Sequence, residues 1–202
     1  MKRLVIAPHI YDDVLGCGGV IDKDTLVVYC GVDDYHVVSR EERIKEADSV
    51  TEYLGNGYEL YHGHKVNNYK SVDLIDDFSK TINTHKPEEI YIPYPSYNQD
   101  HRAVYEAVMI SLRPHDINFF VKKVLVYEQP HVFLWSDTYK DNFKPNYFVP
   151  IDIDRKIKAY ELMKSQVRDF RSSEDIKALS QLRGTQSGCD YAESFQTIRW
   201  VD

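Results

Sequence analysis

Short apolar runs and amphipathic helical segments alternate four times along the first 127 residues, and this alternation narrows the possible folds more than any other feature. Leu4–Ala7 carries β-branched Val5 and Ile6 and stops at Pro8, which has no N–H to give a strand ladder. Thr25–Gly31, Tyr58–His62, Glu89–Pro93 and Lys123–Tyr127 read as further strands. Between them, Gly16, Gly18 and Gly19 let the chain turn tightly around a first helix. Residues 39–54 place Ile44, Ala47, Val50, Tyr53 and Leu54 at helical spacing. Ser39 and Glu42 form a capping-box pattern ahead of them, and Gly55 or Gly57 follows as the stop. Residues 71–84 carry Val72, Leu74, Ile75, Phe78 and Ile82 on one face, and a helix from about 101 to 112 is closed by Pro114. Repeated strand–helix units predict a mainly parallel sheet with right-handed crossovers. The expectation is one domain over residues 1–202, a Rossmann-like three-layer α/β/α sandwich with strand order 3-2-1-4-5 plus C-terminal strands. After residue 127 the pattern changes. Residues 128–145, with Trp135, Tyr139 and Phe143, read as an irregular cover over the site. Tyr147–Ile151 reads as a strand, and Asp154–Gln166 and Ser173–Leu182 as helices.

In that strand order, strands one and four are neighbours at the switch point, where open α/β sheets bind ligands. The loop after strand one carries His9, Tyr11, Asp12 and Asp13; the loop after strand four carries Asn98, Asp100 and His101. Two imidazoles and a carboxylate facing one another describe a catalytic zinc site with an open position, where bound water loses its proton near neutral pH. A plainer reading has Asp100 capping the 101–112 helix and His9 bonding across the loops. Arg43 and Glu46 form a third polar group, either for a ligand hydroxyl or phosphate or as an i, i+3 pair on an exposed face.

Other candidates carry less. His62-x-His64 lies in a glycine-flanked, exposed context, and His36, His85, His115 and His131 stand alone. The glycines at 16, 18 and 19 resemble a phosphate cradle, but a dinucleotide fingerprint needs glycine where this chain has His9 and Asp12. Cys17 lacks an assigned base and reads as packing. The 16 tyrosines read mainly as half-buried surface.

A net charge of −7 without a Lys/Arg cluster argues against a nucleic-acid duplex as partner. Three scattered cysteines, Cys17, Cys30 and Cys189, point to a reducing compartment. The N-terminal apolar run is too short for a signal peptide and no stretch is long enough to span a bilayer, so the expectation is a cytoplasmic enzyme without membrane insertion. The sequence leaves a homo-oligomer open.

The segment APHIYDDVLGCGG resembles the (A/P)HPDDE…VLGCGG signature of the PIG-L/LmbE-like zinc deacetylases. The resemblance runs along nearly the whole chain. Arg43-x-x-Glu46 ending in Leu54-Gly55 resembles the family's R-x-x-E helix, and NQDHRAV at 98–104 its (H/N)-x-D-H motif. KIKAYELMKSQ at 156–166, Arg183-Gly184 and YAESF at 191–195 are similar to its C-terminal motifs. The resemblance implies removal of an N-acetyl or N-acyl group from a small glucosamine-type sugar or conjugate, with a link to polysaccharide synthesis. It implies Zn2+ or another divalent metal on His9, Asp12 and His101, and Arg43 on the substrate. The catalytic candidates are Tyr11, Asp13, Asn98 and Asp100. In an ungapped alignment the family's general-base Asp falls on Tyr11 and the following Glu on Asp13; a gapped alignment instead makes Asp12 the base and Asp13 the ligand. Tyrosine, with an ordinary pKa near ~10, is a poor base at neutral pH. Asn98, where many members have His, keeps a hydrogen bond for an oxyanion but moves no proton. Two functions follow: a hydrolase in which Asp13 or Asp12 replaces the base, or a metal-bearing protein that binds an acylated or nucleotide-linked sugar without cleaving it.

Overall fold

The computed structural model describes residues 2–33, 37–115, 117–130 and 143–202. His36, His131, Trp135, Tyr139 and most of the expected covering loop lie outside the described residues. The elements run β1 (Arg3–Ala7), α1 (Asp12–Cys17), β2 (Thr25–Tyr29), α2 (Arg40–Leu54), β3 (Gly57–Leu60), α3 (Ser71–His85), β4 (Glu89–Pro93), α4 (Gln99–Ser111) and β5 (Lys123–Tyr127). They continue as β6 (Tyr147–Pro150), α5 (Ile153–Leu162), α6 (Ser173–Ser187) and β7 (Ala192–Trp200). The strands form one 7-stranded sheet in the order β3-β2-β1-β4-β5-β7-β6. β3 through β5 are parallel, whereas β7 runs antiparallel to both β5 and β6.

Side chains of a strand alternate between faces, so each central strand feeds two cores. Val5, Ala7, Val27 and Tyr29 pack on one face with Val14, Ala47, Val50, Ala159, Tyr160 and Ile176 from α1, α2, α5 and α6. Leu4, Ile6, Val28, Ile90 and Ile92 pack on the other with Leu74, Phe78, Ile82, Val104 and Val108 from α3 and α4. Helices on both faces explain why β2 and β4 are buried along their whole length and read as continuous apolar runs. Among the described residues no helix is long and apolar enough to cross a membrane.

Side chains that capture backbone groups set the helix boundaries, at α2 as expected and at α4 and α5 differently. Ser39 caps α2 by accepting from the Glu42 N–H at 3.2 Å, and Gly55 ends it in the left-handed region with φ 82. α4 begins at Gln99 because Asn98, not Asp100, is its cap: the Asn98 amide oxygen accepts from the Asp100 N–H at 2.8 Å. α5 stops at Leu162 rather than Gln166, and the Tyr160 hydroxyl reaches the carbonyls of Gln166 (2.8 Å) and Arg171 (2.6 Å), fixing the loop that follows. Most of the described tyrosines are half-buried, as expected, but several belong to the core. Tyr29, Tyr127 and Tyr160 are fully buried, and each hydroxyl has a partner.

Three sequence motifs meet below the site. The backbone N–H groups of Gly19 and Val20 donate to Glu193 at 2.8 and 3.2 Å. The Lys156 ammonium bonds the same carboxylate at 2.6 Å and the Leu15 carbonyl at 2.9 Å. Beside them Arg183 donates through both Nε and Nη2 to Glu128, which also accepts from Ser194 at 2.8 Å. These buried charges are paired and hydrogen-bonded, as burial requires. Lys156 and Glu193 tie the end of α1 to α5 and β7.

Gly16 brings α1 close against the sheet: a Cβ there would meet Tyr127 Cδ2 at 2.2 Å. Gly16→Ala is expected to destabilise by about 1–3 kcal/mol through overpacking. Gly57→Ala, whose Cβ would make an ordinary 3.5 Å contact with Leu26, serves as the control. Urea unfolding of both variants is the check, and equal midpoints would refute the close-approach argument.

Candidate metal centre and adjoining cleft

β1 and β4 are hydrogen-bonded neighbours, so the loops leaving their carboxyl ends face each other. His9 follows β1, Asp12 opens α1, and His101 lies in the first turn of α4. Their ligand atoms lie within 4.8 Å of one another, and all three residues are buried. Asp12 Oδ2 is 3.1 Å from His9 Nδ1 and 3.2 Å from His101 Nε2. A tetrahedral ion with bonds of ~2.0–2.1 Å separates its ligands by about 3.3 Å, so both separations fit the edges of such a shell. Asp12 Oδ1 is buried with no hydrogen-bond partner, an acceptor of the kind a cation satisfies.

The second ring nitrogen of His9 lies 3.0 Å from Asp100 Oδ2. Asp100 is held in turn by the backbone N–H groups of Asn67 (2.6 Å) and Tyr69 (3.2 Å). A carboxylate behind a histidine orients the ring and raises its basicity as a ligand. Burial alone would raise the Asp100 carboxyl, but His9 and the two N–H donors hold it below the usual range. Burial works in the same direction on Asp12 and is outweighed by His101 and His9, which keep it ionised. Gln129, fully buried, donates to the Asp12 carbonyl at 3.0 Å.

Asp13 is placed differently. Its Oδ2 accepts from the Tyr29 hydroxyl at 2.9 Å, and burial pushes its carboxyl up to about 7 against the lowering effect of that bond. Of the two adjacent aspartates, it is Asp12 that joins both imidazoles.

Tyr11 has φ 142, a strained conformation for a bulky residue that costs on the order of 1–3 kcal/mol. Its ring stacks on His9 with centroids 5.8 Å apart, and the Arg171 guanidinium lies over it at 4.8 Å. Burial raises the Tyr11 hydroxyl above its ordinary value, and nearby His9 and Arg171 partly oppose that rise.

Arg43 and Glu46 are buried, not on an exposed face. They lie 3.9 Å apart and are bridged by Ser165: Arg43 Nη1 donates to its hydroxyl, and Glu46 accepts from its N–H at 2.7 Å. The adjoining Gln166 accepts from Arg171 at 2.8 Å. The dipeptide Ser165-Gln166 therefore joins Arg43 to the residue covering Tyr11. Arg43 also lines a cleft of about 740 Å³ with His64, Asn67 and Arg168.

Sequence reasoning missed Tyr69 and Arg171. Tyr69 stacks on His9 at 6.2 Å, and its hydroxyl donates to the Pro8 carbonyl at 2.9 Å. Both belong to loops without a motif of their own, and a lone Arg or Tyr gives no spacing signal. His62 is exposed, and His64 pairs with Asp77 at 2.7 Å, so that couple does not form a ligand pair.

No protein-family model and no curated protein matches the sequence. Solved structures do match. A conserved protein of Thermus thermophilus has a TM-score of 0.81 and 22% identity, over 100% of this chain and 96% of that one. GalB, the 4-carboxy-2-hydroxymuconate hydratase of Pseudomonas putida, has a TM-score of 0.80 and 19% identity, over 100% and 99%. The N,N'-diacetylchitobiose deacetylase of Pyrococcus horikoshii has a TM-score of 0.74 and 22% identity, over 98% and 84%. The fold expected from the sequence motifs, that of the PIG-L/LmbE-like deacetylases, is the fold found.

His101→Ala and Asp12→Asn are each expected to abolish divalent-metal binding while leaving the sheet intact. Metal analysis after dialysis, with circular dichroism as the folding control, is the check. Equal metal content in the natural protein and both variants would remove the assignment.

Proposed function

We propose that the protein is a zinc-dependent hydrolase that removes an N-acetyl or other N-acyl group from a glucosamine-type sugar or sugar conjugate. The observation that carries this reading is the buried convergence of His9, Asp12 and His101 beside an open cleft. His9, Asp12 and His101 would hold the zinc, which when bound would supply Lewis acidity toward an acyl oxygen and lower the pKa of water. Asp100 keeps His9 in its ligating orientation. Asn98 spends its amide oxygen on the α4 cap, which leaves its NH2 as a donor for the acyl oxygen. Arg43, clamped by Ser165 and Glu46, binds a polar substituent of the sugar.

The proton-accepting role is the unusual part. Tyr11, with its hydroxyl raised by burial, is a poor base. The Asp13 carboxyl, at about 7, has an affinity suited to the task, but must give up the Tyr29 hydroxyl to perform it. Slow turnover of simple N-acetylglucosamine is therefore expected. The stacking of Tyr11 on His9 supports a second reading, a metal-bearing protein that holds an acylated sugar uncleaved. The same fold carries a hydratase, GalB, so the reaction is argued from the site's residues.

The natural protein, Tyr11→Asp and Asp13→Asn are compared for acetate release from a panel of N-acetyl sugars. If the base is missing, Tyr11→Asp should raise the rate by about 10²–10⁴-fold. Acetate from the mutant alone supports the binding-protein reading. Acetate from the natural protein that disappears in Asp13→Asn identifies Asp13 as the base. No acetate from any of them overturns the hydrolase proposal for these substrates.

Removing the Arg43 guanidinium should weaken sugar binding roughly tenfold or more, the loss of one charged hydrogen bond. Arg43→Lys, measured by calorimetry beside Arg43→Ala, should recover only part of it. Unchanged affinity in Arg43→Ala would leave Arg43 a purely structural partner of Glu46.

A further inference from the structure

We infer that the ligand carries an anionic substituent, a phosphate or a carboxylate, received in the cleft beside the metal centre by Arg168 and Lys65 with Arg43 at its wall. This rests on the reading of the site as one for an N-acyl sugar and specifies what that sugar bears.

The chain as a whole has a net charge of −7, yet the cleft is lined by Arg43, Lys65 and Arg168 against a single carboxylate, Asp33. Glu46 offsets Arg43 from behind at 3.9 Å. Among the described residues, neither Lys65 nor Arg168 has a carboxylate within ion-pair distance, and the same is true of Arg171. The local excess is therefore positive in a protein whose overall charge is negative. Arg43 is 6% exposed, and its Nε is buried without a hydrogen-bond partner although Nη1 is held by Ser165. The bond to Ser165 and the Glu46 carboxylate hold the Arg43 guanidinium at the cleft wall, so its positive charge is fixed in place before a ligand arrives.

Arg168 is not on a loose tail. It pairs with Arg171 across a tight turn, and Arg171 is buried, donating to both the carbonyl and the side chain of Gln166. The wall of the cleft adjoins the residues that support the metal centre. The Asn67 N–H, at its wall, holds the Asp100 that orients His9, and His64 meets the Tyr69 ring edge-on at 6.4 Å, beside the face stacked on His9. One end of a ligand at the metal and the other among the three cations is a single binding mode.

The test is calorimetric binding of N-acetylglucosamine, N-acetylglucosamine 1-phosphate and N-acetylmuramic acid to the natural protein and to Arg168→Gln/Lys65→Gln. At least one charged sugar should bind about tenfold or more tighter than the neutral one, and added salt should erode that preference. The double variant should lose most of the preference and keep its affinity for the neutral sugar. The phosphate and carboxylate arms separate the two sources of charge. Equal affinity for all three sugars, or no binding of either charged one, overturns the inference. A preference that survives the double variant also overturns it, because it places the anion on the metal instead of in the cleft. Because the readout is binding, failure of the hydrolase proposal appears separately, as an intact anion preference without acetate release.

Discussion

His9 Nε2 lies 3.0 Å from Asp100 Oδ2, and 91 residues of chain separate the two partners. Everything proposed for the site depends on that contact. It exists because β1 and β4 are sheet neighbours even though β2, β3 and three helices intervene in sequence. The parallel crossover brings the two loops to one edge of the sheet, and the Asn67 and Tyr69 N–H groups fix the carboxylate there. Without Asp100, His9 would retain Asp12 but lose the partner that sets its ring plane. The candidate centre is therefore a property of topology before it is a property of any motif.

That dependence explains how much of the molecule could be read from the sequence. The five parallel strands follow from Pro8, the β-branched runs and the helix periods between them, and Glu89–Pro93 and Lys123–Tyr127 have the expected bounds. His9, Asp12 and His101 could be named because each follows a strand whose place in the sheet was deducible. What could not be read came from long-range capture of polar groups. Asn98 and Asp100 are both plausible caps by composition, and only geometry gives the cap to Asn98. Arg171 and Tyr69 enter the site from connecting loops, whose course is set by contacts such as those of the Tyr160 hydroxyl and not by local propensity. β7 has a buried half and an exposed half, so it shows neither clean alternation nor a continuous apolar run.

Two departures from the family signature prove physically distinct. Asn98 exchanges an imidazole for an amide but keeps a structural duty, capping α4, that any short polar acceptor performs. Tyr11 occupies a backbone conformation unfavourable to a large side chain, held in place by an imidazole on one side and a guanidinium nearby. A residue kept under strain at the mouth of a site marks a place where surrounding contacts outweigh local preference. The Ser165-Gln166 dipeptide supplies much of that support from outside, because it anchors Arg171 as well as Arg43.

The bond from the Gly19 N–H to Glu193 closes 174 residues of chain. The turn that ends α1 receives this partner from nearly the far end of the molecule, and the entropy of closing so long a loop must be met before the bond repays it. During synthesis, residues 9–101 emerge well before residue 193, so the two imidazoles and Asp12 leave the ribosome before the clamp beneath them exists. A polypeptide stalled short of β7 would therefore carry all three candidate ligands but lack the carboxylate that holds the end of α1, the helix that Asp12 opens.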